Sequence, residues 1–85
     1  MKDQIKSLQE RIKEMEKVIE ALIIAIPKEE SSYNYYLELA NSIEHEGSRR
    51  MFIKVANQEL SHKGMLEMEL KRLQQEIEKL KSTGK

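Results

Sequence analysis

Cysteine is absent from this chain, and proline occurs once. The first absence excludes a disulfide framework and any thiolate metal site, and it leaves the redox compartment open. The lone proline and three glycines leave little to punctuate 85 residues, so long elements are expected. An excess of either charge is missing too: 35% of the residues are charged, the formal net charge is zero, and acids alternate with bases along the chain. No one-signed face is therefore offered to nucleic acid or to anionic lipid. Long hydrophobic runs are lacking as well. The most apolar stretch, VIEALIIAI, is far too short to span a bilayer and contains Glu20. The N-terminal MKDQIKSLQERIKEME has no apolar core of the kind a signal peptide needs. These exclusions point to a cytoplasmic all-α protein with no nucleic-acid or membrane partner. A chain this short seldom builds a sufficient core alone and usually oligomerises.

What is present is a strict periodicity. Ile5, Leu8, Ile12, Met15, Ile19, Leu22 and Ile26 follow alternating steps of three and four, the pattern of a coiled-coil seam. Phe52, Ala56, Glu59, Lys63, Leu66, Leu70, Leu73, Ile77 and Leu80 repeat it, with only Glu59 and Lys63 polar. Between the two seams stands His45-Glu46-Gly47-Ser48. Gly47 is expected in the left-handed position past a helix end, and Ser48 as the N-cap of the next helix. Pro27 is expected to kink the first helix rather than end it. The fold predicted is a long antiparallel helical hairpin, one domain over 1–85. Residues 1–26 form an N-terminal arm, 27–66 a central core, and 67–82 a C-terminal arm that pairs with the first. Ser82-Thr83-Gly84-Lys85 reads as a frayed tail.

The apolar face widens in the middle of this hairpin. Val18 to Ile26 nearly encircle the first helix, and Tyr33, Tyr35, Tyr36, Leu37, Leu39, Ala40 and Ile43 cover a broad arc beyond the proline. Two helices cannot bury faces that wide, so the hairpin is expected to dimerise into a four-helix bundle. Into this wide face come polar residues. Glu59 and His62, three apart, share a helix side. Glu29 lies on the other helix at a similar distance from the hairpin tip. Tyr33 and Tyr36 follow it by four and seven residues, placed to support ligating carboxylates from behind. A di-iron carboxylate bundle takes one Glu from each of two helices and Glu-x-x-His from each of the other two. One chain holds half of that set, and two copies about a two-fold axis hold all of it. Such ligands suit iron or manganese, with zinc a competitor.

The stretch AIPKEESSYNYYLELANSIEHEGSRRMFIKVANQELSHKGML, residues 25–66, resembles one half of the ferritin-like superfamily in its rubrerythrin branch. The residues that carry the likeness are Ala25-Ile26, Glu29, Tyr33, Tyr36, Leu39-Ala40, Phe52, Ala56 and Glu59-x-x-His62. With a single Glu plus a single Glu-x-x-His, the chain is similar to the two-helix encapsulated ferritins, whose ferroxidase site forms between subunits. The resemblance implies metal ligands Glu29, Glu59 and His62, with Glu29 preferred to Glu30 because only Glu29 has tyrosine at both offsets. It implies supporting roles for Tyr33 and Tyr36, two Fe per homodimer or higher homo-oligomer, and oxidation of Fe²⁺ to Fe³⁺ in iron handling or oxidative-stress protection. An encapsulin shell is a partner by the same likeness, although no cargo peptide is visible in EKLKSTGK. A rubredoxin-type Cys₄ site is excluded by the absence of cysteine. The competing reading is a helical-hairpin adaptor or oligomerisation module whose metal site is structural or vestigial.

Overall fold

The computed structural model describes residues 7–83, which form two helices, α1 (Leu8–Ser42) and α2 (Glu46–Thr83). They pack against one another as an all-α antiparallel hairpin with extents of 61 × 28 × 14 Å. Ile5, the first residue of the seam, lies outside the described residues, as do Gly84 and Lys85. Ser82 and Thr83, expected to fray, are the last residues of α2.

α1 begins with a capping box that the sequence reading passed over. Ser7 Oγ accepts from the Glu10 N–H at 3.1 Å, and Glu10 Oε1 accepts from the Ser7 N–H at 3.0 Å. Two of the donors that a helix start leaves unpaired are thereby satisfied. The helix then runs through Pro27 as a single element. Pro27 and Ile23 both lie at the exposed surface, where water can serve the carbonyl that proline cannot.

The turn is built differently from the sequence expectation. α2 starts at Glu46, so Gly47 sits inside its first turn, and no glycine among the described residues has a positive φ. The N-cap is His45, not Ser48: His45 Nδ1 accepts from the Ser48 N–H at 3.1 Å, and the His45 carbonyl accepts from the Arg49 N–H at 2.9 Å. A Cβ at Gly47 would lie 3.4 Å from His45 Cε1, an ordinary contact with the capping ring. Arg49 approaches Glu46 only loosely at 3.9 Å. Its guanidinium instead donates twice to the Ile43 carbonyl, at 3.2 and 3.0 Å, closing the end of α1. His45→Ala should therefore cost about 1 kcal/mol of stability. In a thermal melt by circular dichroism, that is a midpoint lower by roughly 4–8 °C.

The core is thin. Only Leu22, Ala40, Ala56, Leu73 and Ile77 are buried among the described residues. The arms meet at their outer ends, where Lys81 Nζ lies 3.5 Å from Glu16 Oε2. Arg72 forks onto Glu69 at 2.9 and 2.7 Å, and its hydrogen bond holds the Glu69 carboxyl below the usual carboxylate range. That pair is solvent-exposed and contributes little. Gly64 interrupts α2 where a Cβ would meet nothing within 4 Å. Gly64→Ala should stabilise the hairpin by about 0.5–1 kcal/mol, because alanine is the better helix former and has open space. A higher melting temperature at low protein concentration would bear this out; a lower one would mean the space is occupied. Among the described residues no helix is long and apolar enough to cross a membrane.

Candidate metal centre

The hairpin brings three of the sequence candidates together. His62 Nδ1 lies 3.4 Å from Glu29 Oε2 and 3.4 Å from Glu59 Oε1. One donor atom from each of Glu29, Glu59 and His62 falls within 4.8 Å of the others. Glu59 and His62 meet because they are three apart on α2. Glu29 meets them because α1 returns antiparallel at the right height. Glu59 occupies a seam position, which explains its 21% side-chain exposure; Glu29 is at 24% and His62 at 58%. The centre therefore sits on the flank of the hairpin, shielded on the carboxylate side and open on the imidazole side.

The donor set fits a divalent cation. Glu29 Oε2 is buried and has no hydrogen-bond partner. The His62 nitrogen at 3.4 Å is too far for a good hydrogen bond. A buried carboxylate oxygen without a partner is costly, and such groups are rare in folded proteins. Atoms bound to one ion at ~2.1 Å lie ~3.0–3.4 Å apart, close to the spacing found between His62 and either carboxylate. The three groups converge within 4.8 Å with no hydrogen bond between them, and a cation among them would give the Glu29 oxygen the partner it lacks. Oxygen with neutral imidazole suits iron, manganese or zinc.

The other candidates are placed as follows. Glu30 is 59% exposed and faces Lys63, 4.0 Å away, rather than joining Glu29. Lys63, the second polar residue of the seam, also lies 3.6 Å from Glu67. The four-residue spacing of Lys63 to Glu67 is the sequence signal for this contact. Tyr36 stacks on Phe52, with ring centroids 6.2 Å apart and planes 14° from parallel. Tyr35 meets the edge of Tyr36 at 5.2 Å and is 60% exposed. Tyr33 is half-buried. Among the described residues neither the Tyr33 nor the Tyr36 hydroxyl bonds to Glu29 or Glu59. In the single hairpin the ring of Tyr36 packs on Tyr35 and Phe52.

A protein-family model described as Rubrerythrin matches residues 20–85. No curated protein matches the chain, and no solved structure does. The family typically binds iron on a di-iron carboxylate fold. Its match takes in both helical segments that supply Glu29, Glu59 and His62. Spanning most of the sequence and agreeing with the hairpin, it shows that this chain belongs to the rubrerythrin family, in the ferritin-like superfamily.

Proposed function

We propose that two copies of this chain pair to complete a di-iron centre and oxidise Fe²⁺ to Fe³⁺. The observation that carries the reading is Glu29 Oε2, buried without a hydrogen-bond partner beside Glu59 and His62. One hairpin offers two carboxylates and one imidazole, half of the ligand list of a di-iron bundle. The open side of the centre, where His62 is 58% exposed, is where a second copy brings the other half. The apolar surface agrees: Ile24 is 61% exposed, and Met65, one turn beyond His62, is 65% exposed. Side chains this apolar call for a further covering. Isologous pairing is the commonest way to supply it.

Two Fe²⁺ held there would supply one electron each and become Fe³⁺; dioxygen taking up the two electrons with two protons would give hydrogen peroxide, and hydrogen peroxide taking them up with two protons would give two waters. The chain's part is to position and to shield. Glu29 and Glu59 supply negative charge that offsets the ions. His62 supplies a neutral nitrogen, oriented by its place one turn from Glu59. Tyr36 is held by its stack on Phe52, and in the paired bundle Tyr33 and Tyr36 are the candidates for a supporting shell behind the carboxylates.

The test is an anaerobic titration with Fe²⁺ followed by air, with mass read by sedimentation. Two irons per dimer, a ferric absorbance after oxygen, and a metal-driven rise in mass at dilute protein are expected. The last follows because an ion that binds only the dimer pulls association towards it. Zn²⁺ or Mn²⁺ should drive the same rise without oxidation by air. A chain that ignores all three ions while still associating would instead be a helical oligomerisation module.

A further inference from the structure

Gly64 stands in the interior of α2, where glycine is among the least favourable residues. The hairpin itself gives no reason for it. A Cβ at Gly64 would meet no atom within 4 Å, and its φ is not positive. Its neighbours one turn away on either side are Leu60, 46% exposed, and Met68, 74% exposed. Ile53, seven residues before Leu60, is 38% exposed. Residues four apart share a side of a helix. Leu60, Gly64 and Met68 therefore make an apolar strip with a dip at its centre, and glycine is what permits the close approach of another backbone.

This strip is separate from the metal centre. Glu67, seven residues after Leu60 and so on its side, lies 3.6 Å from Lys63, which also faces Glu30 at 4.0 Å. Glu29 and Glu59 turn instead towards His62. Leu60, Gly64 and Met68 do not belong to the metal cluster, so a pairing through that cluster does not need them.

Symmetry identifies the occupant. Within Glu46–Thr83, 18 residues precede Gly64 (46 to 63) and 19 follow it (65 to 83). A two-fold axis at Gly64 therefore lays α2 antiparallel along α2 of another copy over nearly its whole length. Leu60 of each copy then meets Met68 of the other. Two heptads out on either side, Arg50 of each copy faces Glu78 of the other, with opposite charge. The same surface is complementary to itself, as an isologous contact requires.

We propose that this strip is a second self-association surface, an antiparallel α2–α2 contact centred on Gly64 that joins metal-centred dimers into larger assemblies. The test uses the full chain in sedimentation runs over a concentration series in low-salt buffer, first with a chelator and then with Zn²⁺. In chelator, Gly64→Leu should weaken self-association roughly tenfold or more, as loss of a central contact does. Its melting temperature should hold or rise, since the hairpin leaves that space open. Arg50→Glu and Glu78→Arg should each weaken association, and the double reversal should recover it, which only the antiparallel register explains. With Zn²⁺, wild type should exceed a dimer and Gly64→Leu should stop at one. Association of Gly64→Leu like wild type, or a double reversal no better than the singles, would overturn the contact. Indifference of wild type to Zn²⁺ would count against the shared metal centre and leave the chelator arms of this test intact.

Discussion

Glu59→Ala is expected to abolish iron oxidation while leaving the helices intact. Glu59 reaches His62 at 3.4 Å and belongs to the three-residue cluster, so a paired centre loses a carboxylate from each half. Loss of groups that merely support ligands weakens metal binding by roughly 10–100-fold, and loss of the ligands themselves should exceed that. The fold has little reason to suffer. Glu59 is a part-buried carboxylate on an otherwise apolar seam, close to Glu29. Without a metal, two carboxylates so near repel one another, and removing one relieves the strain. Metal-free Glu59→Ala should melt at or above the temperature of the metal-free parent. The measurements are ferric absorbance after air and a thermal melt with a chelator. Oxidation at the parent rate would remove Glu59 from the centre.

Deletion of residues 1–25 is expected to unfold or aggregate the chain although it removes none of the three ligands. Leu22 is lost, and Leu73 and Ile77, at 6% and 8% exposure, lose the α1 arm that covers them. At about 1.5–3 kcal/mol for each large apolar side chain buried, the three together contribute roughly 5–9 kcal/mol. That is comparable with the whole stability of a small domain. The Lys81–Glu16 contact disappears too, but an exposed pair of this kind adds little. Circular dichroism and light scattering decide the matter. A truncated chain that melts like the full one would mean that the arms do not hold the hairpin together.

Much of this architecture was legible in the sequence because helices are periodic. The seam from Leu8 to Ile26 and its counterpart from Phe52 to Leu80 specify two helices and their buried sides without reference to any partner. The pairing of Glu59 with His62 was legible for the same reason: three residues on a helix make neighbours. The turn was misread at Gly47 because its capping depends on two contacts outside the usual signals. One is a histidine ring accepting a backbone N–H, and the other is the Arg49 guanidinium six residues from the carbonyl it closes. With those in place no left-handed residue is needed.

Residue spacing alone specifies the two helices, the side each buries and the chemistry of the ligands. The tyrosines at both offsets already favour Glu29 over Glu30, and the packing of the helices adds that Glu29 lies 3.4 Å from His62, that Glu30 faces Lys63 instead, and that one oxygen of Glu29 is left without a partner. Periodicity places a residue on a side of its own helix to within a fraction of a turn. Whether neighbouring carboxylates 29 and 30 point to one flank or the other depends on the register of α1 against α2. That register is set by side chains far from the centre, among them Leu22, Ala40, Ala56, Leu73 and Ile77 packing into one thin core.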